Sequence, residues 1–173
     1  MFALAFAHDR TNLLDVLVPR IKREFQRNMF DRRAGNTMTL VLLIDDDPLI
    51  AEIVTESLSD YTVGWMADGR GALQVIETKQ PALVLLDCSM PFIPGTEVLR
   101  SVRLSTKCCS IPVLMLTSRS SGTDRDIAFN AGATDYLSKP FDTDQLAIMV
   151  DGMIEADRVR SELALARRGA VSR

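Results

Sequence analysis

The chain has 173 residues, 47% of them hydrophobic, which is enough to bury one core of ordinary domain size and excludes a disordered protein. Its formal net charge of -3 gives no general electrostatic basis for binding nucleic acid or an anionic membrane. Cys88, Cys108 and Cys109 lack paired CxxC spacing and no apolar run approaches the ~20 residues that span a bilayer, which favours a soluble, cytoplasmic protein without disulfides.

Residues 1–38 form a basic segment ahead of the first predicted strand. They carry seven basic and four acidic side chains, and apolar residues recur at spacings of three and four between positions 13 and 29. This pattern predicts an amphipathic helix that is interrupted or kinked at Pro19. We interpret residues 1–38 as a basic amphipathic extension that docks on the following domain, pairs with another subunit or lies on a membrane surface.

From residue 39 onward, short apolar runs alternate with helix-length amphipathic stretches, as in repeated strand-helix units around a parallel sheet. The first, third and fourth runs are almost continuously apolar, as expected for central strands that helices cover on both faces. Right-handed crossovers then predict an α/β fold, an open and doubly wound (βα)5 domain. The predicted strands are 39–44, 61–66, 82–86, 111–116 and 134–137, and the predicted helices are 48–58, 71–79, 96–105, 124–131 and 143 onward.

The last predicted helix is unusually long, from Thr143 through Arg168. Its apolar residues fall loosely in heptad positions, with Arg160 interrupting the series. This pattern predicts a short coiled-coil dimer or a signalling helix, and it is too irregular for a zipper that is stable by itself. We therefore assign residues 39–155 to the domain and residues 156–173 to an extended helix and tail.

Polar side chains follow four of the predicted strands, at the sheet edge where open α/β domains bind ligands. Crowded carboxylates repel one another unless a cation joins them, and all-oxygen ligands favour Mg²⁺ or Mn²⁺. With a metal and an ammonium group nearby, an aspartate can attack phosphorus and form an acyl phosphate. The residues that meet these needs are Asp45, Asp46 and Asp47, then Asp87, then Thr117 and Ser118, and finally Lys139.

Asp87 is the best candidate nucleophile, because the apolar run 82–86 directly before it would hold it at a strand end. Lys139 and Thr117 are candidates for contacting phosphoryl oxygens, and without phosphate Lys139 would pair with Asp87. Taken singly, each residue has a purely structural interpretation: an acidic run suits a helix start, and a lone lysine is usually a solvated surface residue. Their joint spacing favours a phosphoryl-transfer site over an inert flavodoxin-like domain.

The same residues resemble the receiver domain of two-component response regulators. The matching stretches are 41–48, 85–91 followed by Gly95, 113–118 and 131–141, with thirty residues from Asp87 to Thr117 and twenty-two from Thr117 to Lys139. The resemblance implies a flavodoxin-like sheet with strand order 2-1-3-4-5. It also implies a phosphorylation-dependent switch, not an enzyme with its own substrate.

The resemblance implies a role for each matching acidic residue. Asp87 would be the phosphoacceptor. Asp46 and Asp87 would bind Mg²⁺ directly, together with the backbone carbonyl of Ser89, and Asp45 would act largely through water. Ser89 and Arg119 occupy places that resemble the family's rate-tuning positions.

The resemblance also implies a switching device beside the acidic residues. Thr117 and Tyr136 would form the switch pair, in which the hydroxyl moves toward the phosphoryl group and the aromatic ring turns inward. Ser118 stands where Ala is frequent and would narrow the path of that ring. Lys139 would bind the phosphoryl group, and its bond to Pro140 would be cis.

The implied partners are a histidine kinase or phosphotransfer protein as donor, and a protein that binds the face of the fourth helix, fifth strand and fifth helix. A homodimer through that face or through the terminal helices is a further possibility. The sequence has no helix-turn-helix, so we expect no direct DNA binding.

Two alternatives to a single-domain response regulator stay open at this point. The chain could be the receiver fragment of a larger regulator whose output domain follows the last helix. It could also be an aspartyl-phosphate phosphatase of the haloacid dehalogenase type, which Asp45-x-Asp47 matches superficially. Leu49 stands where that family needs Thr or Val, and Asp87 would then have no role.

Overall fold

The computed structural model describes residues 39–118 and 122–171, and within these the side chains of 122–124 and 168–171 are left aside. The predictions for residues 1–38 and for Arg119 lie outside the described residues. The strands are β1 (Leu40–Ile44), β2 (Thr62–Met66), β3 (Leu83–Asp87), β4 (Val113–Thr117) and β5 (Asp135–Ser138). The helices are α1 (Pro48–Ser57), α2 (Ala72–Lys79), α3 (Gly95–Leu104), α4 (Gly122–Asn130) and α5 (Thr143–Val171).

The strands form one parallel sheet in the order β2-β1-β3-β4-β5, which confirms the predicted topology. β3 and β4 each extend one residue beyond the predicted strand and include Asp87 and Thr117. The ladder continues there because the Cys88 amide donates to the Leu116 carbonyl at 2.9 Å. The two polar side chains are therefore held by sheet backbone and do not sit on free loops.

Alternating strand residues bury two apolar layers, one on each face of the sheet. Val41 and Leu43 of β1 face one layer, to which α1 and α5 contribute. Leu42 and Ile44 face the other, which α2, α3 and α4 cover. This arrangement is the doubly wound architecture predicted from the nearly continuous apolar strands.

Helix α1 begins directly after the acidic run, and the run itself starts it. Asp47 is the N-cap: its Oδ1 accepts a hydrogen bond from the Leu49 amide at 2.9 Å. Pro48 follows as the first helical residue, where its missing N–H costs nothing. Asp47 therefore has the structural role that an acidic run at a helix start predicts.

Helix α5 has a packed part and a projecting part. Leu146 and Val150 are fully buried against the sheet, and Ile154 is the last residue of the helix that packs on the core. Side chains at 158–167 are exposed. In the part of the chain that the structure describes, no helix is both long and apolar enough to cross a membrane.

Candidate functional site

Asp87 lies at the carboxyl end of the central strand β3, with only 3% of its surface exposed. Its Oδ1 accepts a hydrogen bond from Lys139 Nζ at 2.7 Å, and its Oδ2 accepts one from the Ser89 amide at 2.7 Å. The chain then turns back so tightly that a Cβ on Gly95 would lie 2.0 Å from the Asp87 carbonyl oxygen. Only glycine fits there, and the turn holds the carboxylate facing the sheet edge.

Lys139 follows the last strand and reaches across the sheet edge to two carboxylates. Its Nζ lies 2.5 Å from Asp45 Oδ2 and 2.7 Å from Asp87 Oδ1. Its backbone amide donates to the Thr117 carbonyl at 2.7 Å, and the peptide bond to Pro140 is cis, as predicted. Burial by itself lowers the pKa of Lys139, but the hydrogen bonds that its ammonium donates to the two carboxylates outweigh it and raise the pKa above its usual value.

Asp45 is the most deeply buried carboxylate of the acidic run, with none of its surface exposed. Its Oδ1 accepts the Asp47 amide at 3.0 Å, and its backbone carbonyl accepts the indole N–H of Trp65 at 2.8 Å. Burial raises the pKa of Asp45 despite the opposing hydrogen bond from Lys139. The acidic run is thus anchored at its first residue, from both the β2 side and the β5 side.

The other members of the acidic run face different surroundings. Asp46 is exposed at the sheet edge, and Asp47 is used as the helix cap. Asp45, Asp87 and Lys139 meet in space, as the parallel strand ends predicted. The structure adds a contact that the sequence did not predict, because Lys139 pairs with Asp45 as well as with Asp87.

The predicted switch pair lies on β4, which neighbours the strand of Asp87, and on β5, the next strand of the sheet. Thr117 ends β4 and is buried, while Tyr136 is half-buried on β5, where it pairs with Met115. The Tyr136 ring contacts Phe129 edge-on at 6.0 Å, and the Arg125 guanidinium lies 4.9 Å from the ring centre. The aromatic ring is therefore held by residues of α4.

The two serines of the predicted site are both exposed: Ser118 follows Thr117, and Ser89 follows Asp87 by two residues. Ser89 contacts Asp87 through its backbone amide. No role for either hydroxyl follows from these contacts, and the predicted role of Ser89 involves only its carbonyl.

The donor atoms at this edge suit a hard divalent cation. Three carboxylates of the acidic run and β3, namely Asp45, Asp46 and Asp87, stand against the single ammonium of Lys139, which leaves two negative charges. Such a surplus and an all-oxygen donor set fit Mg²⁺ or Mn²⁺. Across 39–118 and 122–171, no three Asp, Glu, His or Cys side chains enclose a metal position by themselves. The predicted set instead uses two carboxylates and one backbone carbonyl.

Trp65 is a site residue that sequence reasoning missed. Its side chain belongs to the core layer under α1 and α5. Its indole N–H, however, binds the Asp45 carbonyl, which holds the peptide leading to Asp46. The available signal was a buried tryptophan at a strand end, since a buried indole N–H usually finds an acceptor.

A family model for the response regulator receiver domain matches residues 41–151. The chain is 35% identical over 125 residues to the DNA-binding dual master transcriptional regulator RpaA of Synechocystis, covering 70% of this chain and 52% of that protein. It is 41% identical over 108 residues to the response regulator MprA of Mycolicibacterium vanbaalenii, covering 61% of this chain and 46% of that one. The chain thus spans about half the length of these curated relatives.

Solved structures of similar proteins share the same fold. The Vibrio cholerae chemotaxis protein CheY4 superposes with a TM-score of 0.63 at 32% identity, covering 67% of this chain and 98% of that one. The receiver domain of the sensor histidine kinase PA1611 of Pseudomonas aeruginosa, described with a magnesium ion in its active-site cleft, gives 0.62 at 30% identity, covering 68% and 98%. With its sheet order, its strand-end residues and these matches, the chain belongs to the response regulator receiver domain family of two-component systems.

Proposed function

We propose that Asp87 accepts a phosphoryl group from a histidine kinase or a phosphotransfer protein, and that the modified domain changes its partner binding. The observation that carries this proposal is the bridging of Asp87 and Asp45 by Lys139 at 2.7 and 2.5 Å. A buried nucleophile, a second carboxylate and an ammonium group are already in contact there. The chemistry is limited to phosphorylation of Asp87 and hydrolysis of its phosphate, and we propose no other substrate.

In the proposed transfer, a carboxylate oxygen of Asp87 forms a bond to phosphorus while the bond from phosphorus to the donor nitrogen breaks. The Lys139 ammonium then contacts a phosphoryl oxygen, and the Thr117 hydroxyl donates to another. Asp46, Asp87 and the Ser89 carbonyl would hold Mg²⁺ or Mn²⁺, with Asp45 acting through water. When bound, such a metal would neutralise negative charge on the phosphoryl oxygens.

The switching step uses the surface next to Tyr136. As Thr117 moves toward the phosphoryl group, the Tyr136 ring turns inward past Ser118 and leaves its contacts with Phe129 and Arg125. This changes the α4–β5–α5 face, on which Ile127 and Ile148 are exposed. We propose that this face binds the output partner, and that the exchange takes place in the cytoplasm, where such kinases present their phosphorylated histidine.

The second candidate is that the chain is the receiver part of a longer regulator. It rests on the coverage of the relatives, whose remaining half lies outside the match. The name of one relative describes it as DNA-binding. In this alternative, DNA contact belongs to a module after α5, and the chemistry at Asp87 is the same.

Incubation with acetyl phosphate and Mg²⁺ tests the phosphoacceptor directly. Intact-mass measurement should show one added phosphoryl group, and none after chelation of the metal. The Asp87→Asn protein should gain no mass. The matched control is Asp47→Asn, because asparagine also caps helices and Asp47 has no place in the proposed chemistry. A phosphoryl mass gained by Asp87→Asn, or an equal loss of that mass gain in Asp47→Asn, contradicts the assignment of Asp87 as the phosphoacceptor.

A further inference from the structure

The projecting part of α5 presents an apolar stripe that the described residues do not cover. The stripe, here called the seam, alternates steps of four and three residues, which is the spacing of the a and d positions of a coiled coil. Val159 is 43% and Leu163 is 55% exposed, and a Cβ on Gly152 would meet nothing within 4 Å. The members of the seam are Gly152, Ala156, Val159, Leu163 and Ala166.

The seam differs from the face of α5 that packs on the sheet. Leu146, Val150 and Ile154 are turned to the core. The seam starts beside this packed face at Gly152 and continues along the projecting part of the helix. The sequence pattern had indicated that Arg160 interrupts the apolar series. In the register of the seam, Arg160 instead lies immediately beside that series.

Charged residues flank the seam in a regular order. Glu155 and Glu162 each precede an a position, and Arg160 and Arg167 each follow a d position. In a parallel two-stranded coil, the residue before a lies near the partner's residue five positions later. Glu155 would therefore face Arg160 of the partner subunit, and Glu162 would face Arg167 of the partner subunit.

The same charges disfavour an antiparallel pair. In that orientation, equivalent flanking positions face each other, which would place glutamate against glutamate and arginine against arginine. The ion pairs made within one chain, Arg158 with Glu155 at 2.9 Å and Arg160 with Asp157 at 3.3 Å, are largely solvent-exposed. Such pairs contribute little, so they do not prevent rearrangement against a partner helix.

We propose that the projecting helices of two copies of this chain pair in parallel and in register along the seam. The periodic apolar stripe, its open exposure and the alternation of Glu and Arg beside it all fit a second copy of the same helix. The small side chains at Gly152, Ala156 and Ala166 allow close approach but bury little area, so the dimer is reversible and depends on protein concentration.

Sedimentation of the full chain over a range of concentrations, without a phosphodonor, tests the seam. The Leu163→Glu protein should dimerise at least about tenfold more weakly than the wild type, since each dimer loses two buried leucines. Leu165 provides the matched control: it is 69% exposed on the same helix but lies outside the seam, so Leu165→Glu should stay within about twofold of the wild type. A wild-type protein that is monomeric at all concentrations, or equal effects of both substitutions, overturns the proposal.

A charge exchange tests the orientation of the two helices. The Glu155→Arg, Glu162→Arg double variant and the Arg160→Glu, Arg167→Glu double variant should each dimerise more weakly than the wild type. Mixing the two should restore pairing, because each glutamate again faces an arginine. Circular dichroism serves to check that both variants are folded, and a mixture of folded variants that stays monomeric overturns the parallel register. Because no phosphorylation is involved, failure of the phosphoacceptor proposal leaves both tests valid.

Discussion

A partly buried cation lies at each end of the sheet, and the two cations differ in the groups that accept their hydrogen bonds. At the carboxyl end, Lys139 lies between two carboxylates. At the opposite end, Arg103 of α3 donates to three neutral carbonyls: Gly132 at 2.7 Å, Ile111 at 2.8 Å and Cys109 at 3.0 Å. Burial lowers the pKa of Arg103, whereas the carboxylates raise that of Lys139.

Arg103 forms a joint between elements, whereas Lys139 lies within a cluster of charged groups. Arg103 fastens the end of α3 to the start of β4 and to the loop before β5, and Gly132 is tailored to it, since a Cβ there would lie 2.8 Å from Arg103 Cγ. Every acceptor in that joint is neutral and internal. Around Lys139 the carboxylates outnumber the ammonium, so the contacts within the protein leave the negative charge there only partly balanced.

Removing the cation from the acidic end should have the largest effect. Lys139→Met deletes the ammonium that contacts Asp87, and we expect phosphorylation by acetyl phosphate to slow by about 100-fold, the usual loss when one charge-stabilising donor is removed. A time course of intact mass measures the rate. An unchanged rate would mean that Lys139 has no part in the transfer.

Removing the cation from the opposite end should affect the fold and spare the chemistry. Arg103→Met leaves three carbonyls without their donor and should lower the free energy of unfolding in urea by about 2 kcal/mol. Phosphorylation should change by less than about twofold, since no contact of Arg103 reaches the site. Arg100→Met, an exposed arginine on the same helix, is the control and should leave stability nearly unchanged. Equal losses of unfolding free energy in the two variants would contradict the role of Arg103 as a joint.

The smallest expected effect concerns the surplus charge itself. Burial raises the folded-state pKa of Asp45 above its ordinary value of 3.8, so the protonated form is favoured by folding. The stability contributed by the protonated Asp45 side chain is fully present below its ordinary pKa and is lost as pH rises through the raised pKa. Asp45→Asn should therefore be more stable than wild type at pH 7, with the difference shrinking toward pH 4, in urea unfolding without metal. Parallel pH profiles of the two proteins would contradict it.

The sequence predicted the sheet and the meeting of the acidic residues, because both depend on local pattern. The apolar runs end within a residue of β1, β3 and β4, and parallel strands bring their carboxyl ends to one edge. Asp87 and Thr117 could therefore be placed at the same sheet edge from the sequence pattern, and the resemblance to receiver domains implied that their strands are neighbours. The roles of these residues in phosphoryl transfer stay predictions.

Contacts that depend on side-chain reach were not predictable in the same way. The pairing of Lys139 with Asp45 depends on whether the lysine side chain reaches from the end of β5 to the end of β1, three positions away in the sheet. The joint at Arg103 connects it to Gly132, 29 positions along the chain, in a region without any motif. The seam on α5 became visible only once the structure showed which face of the helix packs on the sheet, because the packed and projecting parts use different registers.

Trp65 has a practical consequence that follows from its place under the acidic turn. It is the only tryptophan of the chain, and its indole N–H is bonded to the carbonyl of Asp45. All indole fluorescence of the protein therefore originates one hydrogen bond away from the residue that leads into the acidic edge. Emission intensity and wavelength can follow events at that edge in real time, without a dye and without altering a single side chain.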